Sequence, residues 1–282
     1  MEGETIAGGR AAVSVETLRL PVAGGIEAAW WGGRREGPVL VLLHEGLGSV
    51  GLWRGFPAAL AAASGLPGFA YSRPGYGRSA TIRLPRSLSY MEEEARWGLP
   101  AVLEAARISA PLLLGHSDGA SIAALHAALT PHPGLMGLIL IAPHFFVEEV
   151  SLESIAAARE AYEKGDLRAR LARHHDDVDA AFWGWNRAWL DPRFPEVFDF
   201  RRLLHRIGTP SLLIQGLADE YGTVRQIEEA AQRWGRPPRT LLLEGARHSP
   251  HLTHEGEVLG AIGDFLAENG FAPPRPEAGG TG

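Results

Sequence analysis

The 282-residue chain contains no cysteine. Disulfides, thiolate metal centres and a cysteine nucleophile are excluded together, and nothing is learned of the redox compartment. Lysine occurs once, at Lys164, while arginine is plentiful, and the formal net charge of −6 gives no sign of a basic surface built for nucleic acid. No apolar run is long enough to span a membrane. The opening stretch, MEGETIAGGRAAVSVE, carries acids where a signal peptide needs a basic region, and no apolar segment follows. The expectation is a cytoplasmic protein without a membrane or nucleic-acid partner. Hydrophobic residues make up 45% of the chain, enough for one large domain or a domain with a smaller insertion.

What is present is a series of short, continuous apolar runs: Val39 to Leu43, Gly68 to Tyr71, Leu112 to Gly115, Leu138 to Ile141, Leu212 to Ile214 and Thr240 to Leu243. Helical patterns separate them. Continuous rather than alternating hydrophobicity marks strands buried on both faces, and the intervening helices supply the crossovers that a parallel sheet requires. The fold class is therefore α/β. Thr17 to Leu20 and Ile26 to Trp30 flank Ala23-Gly24-Gly25 and read as a hairpin at the sheet edge.

Between Ile141 and Leu212 lie far more residues than one crossover uses. Ser151 to Tyr162, Asp166 to His174 and Val178 to Leu190 each read as a helix, which predicts a helical lid over 144–206. The flanking segments, 15–143 and 207–270, form the core. The Pro- and Gly-rich tail, 271–282, reads as disordered.

The segment Gly115-His116-Ser117-Asp118-Gly119 follows one of the strand-like runs and opens a helical pattern. A serine between two such glycines, at a strand-to-helix turn, has the form of a nucleophile elbow. A serine hydroxyl needs a histidine to take its proton and an acid to orient that histidine. Both types follow at later strand ends. Asp219 or its neighbour Glu220 is the acid, and His248, His251 or His254 the base, with the positions just past the strands favouring Asp219 and His248.

On these residues, and on Leu43-His44-Glu45-Gly46 with Trp53, Arg73-Pro-Gly-Tyr-Gly-Arg-Ser79 and His248-Ser-Pro-His251, the chain resembles the capped, single-domain α/β-hydrolases over residues 15–270. The resemblance implies a mostly parallel sheet flanked by helices, with a helical lid. It implies Ser117 as nucleophile, His248 as base and Asp219 as the orienting acid. The oxyanion hole would use the backbone N–H of Asp118 and one from the 44–46 loop, which by position is Gly46. In one respect the chain departs from the family. Glu45 stands where the family usually has glycine, and an acid beside an oxyanion is unfavourable unless it is paired or turned away.

No cofactor is implied, and no metal. His174-His175-Asp176-Asp177 places four polar residues in a row, and adjacent helical side chains diverge, so the run reads as a solvated face. Asp118 reads either as a group that steers a cationic substrate or, equally well, as an exposed acid favoured by the helix dipole. His44 and His116 read as structural groups bonding the loop backbone. Phe182, Trp185 and Trp189 share one helix face that packs the lid, and Glu45, Trp185 and Trp189 are candidate substrate contacts. The expected activity is hydrolysis of a small or medium carboxylic ester or related carbonyl substrate. The rivals are carbon–carbon cleavage of a vinylogous diketone and a low-turnover ligand-binding role. Glu45, Asp118 and Glu220 are expected to repel an anionic diketone. The sequence does not specify an oligomeric state.

Overall fold

The computed structural model describes residues 14–33 and 37–271. Among these residues eight strands form one sheet: β1 (Val15–Leu20), β2 (Ile26–Trp31), β3 (Pro38–Leu43), β4 (Gly68–Tyr71), β5 (Ala110–His116), β6 (Gly137–Ile141), β7 (Ser211–Gly216) and β8 (Arg239–Leu243). Their spatial order is β1-β2-β4-β3-β5-β6-β7-β8. β2 runs antiparallel to both neighbours, and the pairs from β4 onward are parallel. The hairpin predicted at the sheet edge is thus β1 and β2, and the continuous apolar runs are the parallel strands.

Eleven α-helical segments accompany the sheet among the described residues: α1 (Phe56–Ser64), α2 (Tyr90–Glu93), α3 (Leu99–Ala105), α4 (Asp118–Leu129), α5 (Glu149–Lys164), α6 (Leu167–Leu171), α7 (Val178–Trp189), α8 (Phe194–Phe198), α9 (Arg225–Arg233), α10 (Pro250–Thr253) and α11 (Glu255–Glu268). A single π turn, Glu94–Gly98, joins α2 to α3. One face of the sheet, with Leu40, Leu42, Leu112, Leu114, Ile139 and Ile141, packs with Leu60 of α1 and Ile262, Phe265 and Leu266 of α11. On the other face, Val41, Leu43, Leu113, Leu138 and Leu140 share a core with α3, α4 and residues of the 144–206 segment. α4 is buried on every side, which is why its sequence shows almost no polar stripe.

Helices α5 to α8 and a 3₁₀ turn at Arg201–Arg206 fill the long connection from β6 to β7. Three of the five were readable from periodicity. α8 and the 3₁₀ turn are too short to display one. β8 differs from the pattern of a fully buried strand. It pairs only with β7, and Leu242 on it is 44% exposed. The tail predicted to be disordered lies outside the described residues apart from Phe271. No helix of the described residues is long and apolar enough to cross a membrane.

Candidate active site

Parallel register brings the functional candidates to one end of the sheet. Leu43 of β3 aligns with Gly115 of β5, His116 with Ile141 of β6, and Gly216 of β7 with Leu243 of β8. The residues that follow these ends are the 44–46 loop, Ser117, His144, Asp219 and His248. Open α/β sheets place their sites at such carboxyl ends.

Ser117 has φ 53° and ψ −119°, a left-side conformation that is strained for a residue with a side chain. The strain is held by close packing on either side. A Cβ on Gly115 would strike the backbone of Ala120, and one on Gly119 the carbonyl of Leu43. The two glycines therefore let α4 begin directly against β3 and β5, with Ser117 at the apex.

His248 Nδ1 lies 2.9 Å from both carboxylate oxygens of Asp219. Asp219 also accepts from the backbone N–H of Tyr221 at 2.8 Å and from Gln215 Nε2 at 2.8 Å. Burial pushes this carboxyl up, but the charge and hydrogen bond of His248 and the Tyr221 amide outweigh it, bringing it down to about 2. An ionised Asp219 requires the proton on Nδ1, leaving the Nε2 lone pair free to accept. Glu220, the competing acid, instead binds Arg247 at 3.1 Å and the backbone N–H of His248 at 3.3 Å. His251 is buried among Trp53, Phe56 and His116, and His254 pairs with its neighbour Thr253.

The loop opposite is set by Arg73, itself 1% exposed. Its guanidinium donates to the carbonyls of His44 at 2.5 Å and Glu45 at 3.0 Å. In a trans peptide, C=O and N–H point in opposite directions, so holding both carbonyls turns the N–H groups of Glu45 and Gly46 the other way. His44 Nε2 accepts from the Arg73 amide at 3.0 Å while Nδ1 donates to the Glu45 carbonyl, a neutral, structural arrangement. The indole of Trp185 occupies the position a Cβ on Gly46 would need.

The Glu45 side chain folds back over Gly48 and toward His116 Nδ1, 3.7 Å away. Burial pushes its carboxyl up, but the nearby His116 imidazole prevails and leaves it below its ordinary value. His116 in turn bonds the His248 carbonyl through Nε2 at 2.8 Å. Asp118 corrects its reading as an exposed acid: it is 1% exposed, accepts from the Tyr90 hydroxyl at 2.5 Å and stands 4.0 Å from Arg73. Burial pushes its carboxyl above the ordinary range, only partly offset by Arg73 and Tyr90. All three acids expected to repel an anion are therefore committed to partners, and that argument against an anionic substrate loses its basis.

The 174–177 run is not simply a solvated face either. His175 is buried, accepting from the Gly77 N–H at 2.9 Å and bonding the Leu47 carbonyl at 2.9 Å, while Asp177 caps α7 through the Ala180 N–H. Among the described residues no group of three or more His, Cys, Asp or Glu side chains is placed to hold a metal.

Sequence reading missed His144, Tyr221 and Tyr90. His144 follows β6 as closely as Asp219 follows β7, which was a usable signal. Its ring stands 5.8 Å from that of His248 and 5.4 Å from that of Trp189. Burial, then the charge of His248, pushes it down to about 3, so it is a neutral imidazole. Tyr221 covers the other side of His248 at 4.7 Å between rings.

The eight-stranded, mostly parallel sheet flanked by helices defines a class of protein. The chain belongs to the alpha/beta hydrolase family, whose model matches residues 40–261. Among solved structures it is similar to carboxylesterases of the thaumarchaeon Nitrososphaera gargenis (20% identity, TM-score 0.70, covering 90% of this chain and 99% of that one). It is similar also to a hydrolase from Pseudomonas aeruginosa PA01 (20%, 0.69, 89% and 98%) and to the enol-lactonase from Burkholderia xenovorans LB400 (19%, 0.68, 89% and 100%). No curated protein matches the sequence.

Proposed function

We propose that the protein is a serine hydrolase that cleaves a small or medium carboxylic ester, or a related carbonyl compound, through an acyl-enzyme. The observation that carries this is the Asp219–His248 pair at 2.9 Å, tied through the His248 carbonyl to His116 at the end of β5, next to Ser117 at φ 53°. In this reading Ser117 Oγ attacks the carbonyl carbon as His248 Nε2 takes its proton. The carbonyl π electrons move to oxygen, where the N–H groups of Asp118 and Gly46 receive the negative charge. Collapse expels the alcohol, protonated by His248. Water then repeats the sequence on the acyl-enzyme and releases the acid.

Trp185 against Gly46 and Trp189 against His144 bring apolar walls from the 144–206 segment to the site, which supports its role as a lid and favours an uncharged substrate. Carboxylesterases and an enol-lactonase among the similar structures are consistent with ester chemistry.

The test is covalent labelling with a fluorophosphonate, alongside turnover of a panel of short-chain aryl esters. Wild type should label and turn over, and Ser117→Ala should do neither while keeping its circular dichroism spectrum. Equal labelling of the variant, or efficient cleavage of meta-cleavage diketones with only trace esterase activity, would reject the reading.

A further inference from the structure

The buried side chain of Asp118 has no role in the chemistry above, yet it stands between a hydrogen-bonded Trp189–Tyr90 pair and the Arg73 guanidinium, 4.0 Å away. Trp189 Nε1, on α7, donates to the Tyr90 hydroxyl at 3.1 Å. That hydroxyl donates to Asp118 Oδ2, and Asp118 faces Arg73, whose guanidinium grips the His44 and Glu45 carbonyls. All four side chains are at most 3% exposed.

The two ends of this arrangement are informative. Asp118 carries one proposed oxyanion donor on its own backbone. Arg73 orients the peptides that carry the other. Tyr90 links these two to the segment covering the site, together with the Trp189 indole, which reaches both the Tyr90 hydroxyl and the Asp118 carboxyl. A buried ion pair is a poor way to gain stability, because desolvation cancels most of the attraction, so a residue that merely filled this space could be apolar. The charge-assisted bonds of the Arg73 guanidinium to the His44 and Glu45 carbonyls instead fix direction.

We infer that Tyr90 is a positioning residue for the oxyanion hole. Its hydroxyl aligns the Asp118 and Gly46 N–H groups with each other, and it does so only when Trp189 has docked. The inference rests on Ser117 being the nucleophile, and the Ser117→Ala experiment tests that separately.

Tyr90→Phe removes the hydroxyl and keeps the ring. The readouts are kcat and KM with an aryl ester, and inhibition by an aryl trifluoromethyl ketone. That inhibitor reports the hole directly: Ser117 Oγ adds to its carbonyl carbon, the proton passes to His248, and the resulting oxyanion rests on the two N–H groups. With a buried acceptor left unsatisfied, kcat should fall about tenfold with KM little changed, and ketone affinity should fall by a similar factor. Trp189→Phe should give the same signature, and the double variant no further loss, because both break one arrangement.

Both variants are measured at a temperature where circular dichroism shows them folded. Unchanged kcat and ketone affinity in folded Tyr90→Phe would overturn the inference, as would a loss confined to KM or fully additive losses in the double variant. If Tyr90→Phe does not fold, the inference stands or falls on whether Trp189→Phe lowers kcat and ketone affinity together.

Discussion

Asp219 illustrates how much a single side chain can determine. Its carboxylate collects an imidazole, a side-chain amide and a backbone N–H, and this set leaves His248 one way to hold its proton. Asn in its place can present an N–H toward Nδ1, which selects the opposite tautomer and puts a proton where the Ser117 proton must go. Asp219→Asn should therefore lower kcat on the order of 10⁴-fold while leaving KM and the unfolding midpoint close to wild type. Steady-state kinetics and a urea titration check both halves. As candidates, Asp219, His248 and Ser117 could be picked out of the sequence because each follows an apolar run; the pairing of Asp219 with His248 could not. Nor could Tyr90, because it belongs to no motif and meets Asp118 and Trp189 only through tertiary folding.

At the scale of the element, the elbow and α7 are built in different ways. The elbow depends on the absence of side chains: the Leu43 carbonyl fills the space beside Gly119. Backbone cannot yield as a flexible side chain can. Gly119→Ala should lower the yield of folded protein or the thermal midpoint, measured by differential scanning fluorimetry. α7 depends instead on bulk. Phe182 stacks on Tyr162 of α5 with ring centroids 3.7 Å apart and no solvent exposure. Phe182→Ala should cost about 3–5 kcal/mol, read from urea unfolding, and should raise KM by loosening the face that carries Trp185 and Trp189. The shared face of these three residues follows from helical spacing. Which of them meets the core does not, since that depends on how α7 crosses the sheet end.

Across the whole molecule, buried imidazoles shape the response to acid. His44 and His251 are pushed well below the ordinary 6.5, and His144 to about 3, in each case chiefly by burial. A histidine whose folded value is depressed takes up its proton more readily when unfolded. Its contribution to stability is therefore complete above the unfolded value and declines as pH falls below it. Each such group should remove about 1.4 kcal/mol per pH unit in that window. The urea midpoint should drop from pH 7.5 to 5.5, and His144→Gln should flatten the profile by one histidine's share. An unchanged midpoint over that range would contradict the burial of these rings.

The strand that delivers His248 lies, like β1, at an edge of the sheet. β8 hangs on the sheet by β7 alone and shows part of its surface to solvent, whereas β5, beneath Ser117, is paired on both sides. Opening free energies within one fold range from near zero at frayed elements up to the global value at the core. Warming should thus detach the base from an otherwise intact molecule. Catalysis would be lost at a lower temperature than the bulk of the helical circular dichroism signal, and cooling from that interval would restore it. The protein's working ceiling would then be set by the fraying of one five-residue strand rather than by the melting of its core.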